Sequence, residues 1–158
     1  MSFGMVFSII LIIIFIAFSF TIIKNWLQLG TTTQIESFVA DLQKDVNEIW
    51  KGSQGSKLVK YNLPSKIEEI CFIDYSSPTK GAGSAMRDYV DETSSEIDNL
   101  FFYPKNAVEG LENKEIKNIN IEKITTISNP LCINNIDGKV SMVLQKNYNE
   151  ALVTITTD

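Results

Sequence analysis

Histidine is absent from all 158 residues of this chain. Its absence removes Cys-His and Ser-His-Asp nucleophile activation, His-ligated zinc and the commonest general base. Cysteine occurs twice, too few for a Cys₄ metal site. No block of like charge is long enough to form a tail, and the 14 Lys and Arg against 19 Asp and Glu leave a formal net charge of −5. That balance argues against a nucleic-acid surface, which needs clustered positive charge to displace counterions from phosphates. The expectation is a non-enzymatic protein with no catalytic residues, no metal and no cofactor.

Motifs that touch on chemistry are few and have plain readings. "GAGS" at Gly81–Ser84 lacks the lysine and spacing of a P-loop and reads as a flexible loop whose Ser84 caps a following helix. Asp88, Asp91, Glu92, Glu96 and Asp98 on that helix match no EF-hand spacing and read as a solvated face. Glu68 and Glu69 point to opposite sides of a strand and cannot act as an acid–base pair.

Charge is missing where it matters most, because the first charged side chain is Lys24. Phe3 to Ile23 is an apolar run of membrane-spanning length, whereas a secretory h-region is about 7–15 residues long and follows a basic n-region. No small-x-small cleavage site follows it. Gly4 and Ser8 form a small-x-x-x-small pair that lets helix backbones approach closely. Ile13, Phe15, Phe18 and Phe20 are further candidates for packing between copies of the helix.

Beyond the span the apolar pattern changes period. Ile35, Phe38, Val39, Leu42, Val46, Ile49 and Trp50 fall on one helical face, with Asp41, Lys44, Asp45 and Glu48 opposite. Thr33 with Glu36 fits a capping box, and Gly30 before it is a natural place for a bend or short break. One continuous stem and two separate helices both remain open. "KGSQGS" at Lys51–Ser56 then stops the helix.

The organisation expected is residues 1–30 as a hydrophobic transmembrane or filament-core helix, 31–51 as its amphipathic continuation, and 52–158 as a β-rich globular domain. Lys57–Leu63, Ile67–Tyr75, Ile116–Ile127, Leu131–Ile133, Val140–Gln145 and Leu152–Thr156 read as strands. Phe101–Tyr103 either starts a strand or ends the inserted helix predicted from Ser84 to about Leu100. Asp137-Gly138 signals a hairpin, and a second reversal is expected near Asn147–Asn149. The fold class is α+β: a long N-terminal helix, then a mostly antiparallel β domain with one inserted helix.

Orientation draws opposing signals. Lys24, Lys44 and Lys51 follow the span and no basic residue precedes it, which by the positive-inside rule leaves the domain in the cytoplasm. Cys71 and Cys132, each in an apolar strand-like run, are expected to form a disulfide in an oxidising compartment, with two buried free thiols as the other reading. A basic leader removed ahead of Met1 would reconcile the two.

An apolar stem "MSFGMVFSIILIIIFIAFSF", an amphipathic continuation and a compact β domain resemble the layout of archaeal type IV pilins and archaellins. Met5 stands where many type IV pilins carry a glutamate, a departure that archaeal stems often share. The resemblance implies a cleaved leader, residence in the membrane before assembly, and a self-assembled helical homopolymer with stems in the core and β domains outside. A single-pass protein displaying an extracytoplasmic binding or scaffold domain is the alternative expectation.

Overall fold

The computed structural model describes residues 3–86, 97–107, 110–111 and 113–158. Its first element is α1, Phe3–Lys51. Neither Gly30 nor the Thr33–Glu36 pair interrupts it. Extending a helix adds one hydrogen bond per residue fixed, while starting another demands a new nucleus, so a lone glycine costing about 1 kcal/mol does not end the run. Thr33 therefore lies inside a helix and is not a cap.

The chain divides into two compact units, one reaching to Thr33 and one comprising Gln34–Asp158. In the first unit, Gly4–Ile23 is helical throughout and none of it is buried. The second unit contains the C-terminal part of α1 and the β structure.

That β structure consists, among the described residues, of β1 (Gly55–Asn62), β2 (Glu69–Phe72), β3 (Leu100–Tyr103), β4 (Asn113–Lys114), β5 (Leu131–Asn134), β6 (Lys139–Lys146) and β7 (Thr154–Thr157). They form two antiparallel sheets, β1-β6-β7 and β4-β3-β2-β5. A short helix, α2 (Ile121–Ile124), lies between β4 and β5. The class is α+β, an apolar N-terminal helix followed by antiparallel sheets and a further helix.

Ile35, Phe38, Leu42, Val46 and Ile49 of α1 are buried in the core that both sheets share. Phe38 meets Tyr61 of β1 edge-on at 5.3 Å and Phe102 of β3 at 6.0 Å, touching both sheets at once. The helix C-terminus is closed from a distance. Lys146, at the end of β6 and almost fully buried, donates from Nζ to the carbonyls of Trp50 (2.7 Å) and Gly52 (2.9 Å), accepting groups that α1 cannot satisfy itself.

Two expectations are corrected, and a third falls largely outside the described residues. The run Ile116–Ile127 is not a strand: Asn99 and Gln43 side chains hold the backbone of Ile116 and Lys117, Asn118 takes a positive φ, and the Asn120 side chain caps α2. Side-chain amides have taken the backbone groups that a ladder would use. The helix predicted from Ser84 to Leu100 falls mostly on residues 87–96, outside those described, including Asp88, Tyr89, Val90, Asp91, Glu92 and Glu96. At its edges, Ser84 sits in a 3₁₀ turn (Gly81–Met86) and Leu100 begins β3. Finally, Asp137 and Gly138 both have positive φ, as a type I′ turn requires, and Ile136 pairs with Lys139 across them. The strands that this turn joins, β5 and β6, nevertheless belong to different sheets.

Candidate functional site

Gly4–Ile23 has a mean hydropathy of 3.0 over 20 residues, and among the described helices it is the one long and apolar enough to cross a membrane. Large apolar groups are exposed around its whole circumference, Ile13, Phe15, Phe18 and Phe20 among them. Its hydroxyls turn inward. Ser8 donates to the Gly4 carbonyl (3.0 Å), Ser19 to Phe15 (2.7 Å) and Thr21 to Ala17 (2.8 Å), each one turn back. The segment thus presents hydrocarbon outward and keeps its polar groups bonded within the helix, which suits lipid or a dry helical bundle.

The amphipathic row divides at its end. Val39 is half-buried against the core, while Trp50 keeps 39% of its surface exposed. Opposite the buried row, Lys57 Nζ pairs with Asp45 (2.8 Å) and Glu48 (3.1 Å), and the Tyr61 hydroxyl donates to Asp45 (2.7 Å). Burial works to raise the Asp45 pKa, but hydrogen bonds from Lys57 and Tyr61 hold it below the usual range. Burial, then the bond to Asp45, pushes the Tyr61 hydroxyl far above its ordinary value, so it stays a donor. The cluster fastens β1 to α1.

Cys71 on β2 and Cys132 on β5 stand directly opposite each other and are bonded, S–S 2.05 Å. Met86 Sδ abuts both sulfurs, at 3.9 and 3.6 Å. Glu69 lies close enough to make a three-residue cluster with them, but disulfide sulfurs are no longer thiolates and the group cannot ligate a metal.

The "GAGS" segment is committed inward as well. Gly83 N–H donates to Ser128 Oγ (2.9 Å), and a Cβ at Gly83 would lie 2.4 Å from the Pro130 nitrogen, so only glycine fits against this strand of backbone. Ser84 donates to the Gly81 carbonyl. A feature that sequence reasoning passed over is Asn129, fully buried in the adjoining chain. Its side chain accepts from Asp74 N–H and donates to the carbonyls of Asp74, Ser77 and Pro78, holding the 74–80 loop. Asn before Pro reads as a turn, which hides a buried amide.

Comparison with protein-family models, curated proteins and solved structures returns no match for this chain. One apolar helix of spanning length fits a membrane anchor or a signal, and the bonded cysteines fit an oxidising compartment.

Proposed function

We propose that this chain is a structural subunit of an extracellular type IV pilus-like filament, held in the membrane before assembly and polymerising through its N-terminal helix. The supporting observation is Gly4–Ile23: exposed apolar side chains on every side, with no hydroxyl left unbonded. A helix of that kind can be surrounded completely by copies of itself. Gly4 and Ser8 allow close approach, with Ile13, Phe15, Phe18 and Phe20 filling the remaining contacts. Continuation of α1 into the domain core favours a subunit over a tethered domain, since a tether is served equally well by a flexible linker. In this reading the domain lies outside the cytoplasmic membrane, and neither enzyme activity, cofactor nor nucleic acid takes part.

Electron microscopy of material sheared from cells tests the reading. Lipid-free filaments of this subunit are expected, and Ile13→Asp abolishes them because a carboxylate in a dry bundle costs several kcal/mol. Recovery only as single particles or small oligomers in detergent overturns the filament and leaves a membrane-anchored display domain in its place.

A further inference from the structure

The disulfide lies on the face of the second sheet that is turned from the main core. Ile70, Phe72 and Ile133 belong to that core, while Cys71, Ile73 and Phe101 form a smaller cluster with Cys132 and Met86 packed against it. The bond from Asn135 N–H to the Glu68 carbonyl (2.7 Å) sets the phase of the β2–β5 ladder, in which bonded and non-bonded pairs alternate. Ile70 with Ile133 and Phe72 with Leu131 are therefore bonded pairs, and Cys71 with Cys132 is the non-bonded pair between them. The S–S bond crosses the ladder where no backbone hydrogen bond does.

The two sulfurs are unequally placed. Cys71 is fully buried, whereas Cys132 is half-buried and lines a cleft of about 380 Å³ to which Cys71 does not contribute. Met86 Sδ lies 3.6 Å from Cys132 Sγ and 3.9 Å from Cys71 Sγ. A group on the axis of the bond would stand much farther from one sulfur than from the other, so Met86 flanks the bond and caps neither end. Thiol–disulfide exchange begins with a thiolate attacking one sulfur along that axis, and access decides which sulfur is attacked. Here the cleft gives access to Cys132, and the sheet and its cluster deny it to Cys71.

We propose that Cys132 is a site of reversible S-thiolation, at which a small thiol entering by the cleft exchanges with the Cys71–Cys132 bond. The thiol gives up its proton to solvent, and its thiolate attacks Cys132 Sγ. A new S–S bond forms between the incoming sulfur and Cys132 as the bond to Cys71 breaks, and the electron pair leaves on Cys71 Sγ, which takes up a proton. The product is a mixed disulfide at Cys132 and a buried thiol at Cys71. Attack by Cys71 in the reverse direction expels the small thiol and restores the original bond. Because the bonded pairs on either side do not pass through the cysteines, β5 stays in the sheet throughout. The site lies wholly within the domain and does not depend on filament formation.

The test is brief exposure of the full chain, in detergent micelles, to cysteamine, whose ammonium suits the Glu69 carboxylate lying within 4.8 Å of both sulfurs. Quenching in denaturing acid, alkylation of the free thiols and peptide mass mapping then locate the adduct. Cysteamine on Cys132 with the alkyl group on Cys71 is expected to exceed the reverse arrangement about tenfold or more, and the excess disappears when the exchange is run in denaturant. In Cys71→Ala, which has no second thiol to reverse the step, cystamine is expected to label Cys132 in the folded chain. Equal adducts on the two cysteines of the folded chain overturn the proposal. An excess that persists in denaturant overturns it as well, by placing the preference in the local sequence and not in the fold. Absence of any adduct at Cys132, in both the unaltered folded chain and Cys71→Ala, also overturns it and leaves the bond purely structural.

Discussion

The two parts of α1 share one backbone geometry and are held by different things. In Gly4–Ile23 every large side chain described is exposed, and the helix relies on its own hydrogen bonds, including those from Ser8, Ser19 and Thr21. In Gln34–Lys51 a single row is buried, and Phe38, Leu42 and Val46 are as much domain core as helix. Burial is worth roughly 25 cal/mol per Å², so the second part is stabilised by the chain itself and the first by whatever medium or copies surround it. A helical assignment therefore says little about where stability resides.

The sharpest way to break that comparison is to make the same truncation in both parts. Phe38→Ala removes a ring that touches both sheets and costs about 3–5 kcal/mol, lowering the domain's melting temperature by about 10 °C or more. Phe15→Ala is expected to leave that temperature within about 2 °C, since the ring is 68% exposed. Circular dichroism of both variants in one detergent measures the difference; equal losses would mean that the apolar part also belongs to the domain core.

A smaller effect sharpens how the domain holds itself. Cys71 and Cys132 close a loop with a sequence separation of 61, for which chain entropy gives about 4 kcal/mol as an upper figure. Replacing both by alanine is expected to cost about 2–4 kcal/mol with no change at Gly4–Ile23. Alkylation before and after reduction checks the bond directly: none before, two thiols after.

The least effect is electrostatic and is confined to the domain. Burial opposes ionisation of Asp45 and Asp74, yet hydrogen bonds from Lys57 and Tyr61 to the first, and from Ser76 and Ser77 to the second, hold both pKa values low. Lys123 and the Asn147 N–H draw Glu150 down to about 2 from 4.5. Carboxylates with depressed native values add stability that is fully present above their unfolded values and is lost as pH falls through the native ones. The melting temperature should thus stay level from pH 7 to about 5 and fall between about 4.5 and 2. Glu150→Gln should flatten part of that slope, and an unchanged slope would remove Glu150 from the account.

Periodicity made much of this readable in advance. The Ile35–Ile49 row follows from helical spacing, the strands near 57–63, 131–133 and 140–145 from β-branched runs, and the reversal at Asp137-Gly138 from turn chemistry. Trp50 obeys the same spacing and stays partly exposed, because it stands at the helix end beyond the sheets' cover. What remained hidden depends on partners distant in sequence. Ile116–Ile127 has strand composition, but Gln43 and Asn99 reach in from elsewhere and take its backbone. The division into two sheets is likewise invisible locally, since the turn after β5 looks the same whether its arms pair with each other or with different neighbours.

Lys146 has a consequence for the order of synthesis. The central strand of the first sheet, β6, pairs with β1 from the other end of the domain, and its last residue closes the carbonyls at Trp50 and Gly52. A nascent chain has made all of α1 and β1 to β5 before that lysine exists. Until then, β1 and the end of α1 lack the neighbours that fix them, so the domain completes itself late, after the apolar segment has long since left the ribosome and met its surroundings.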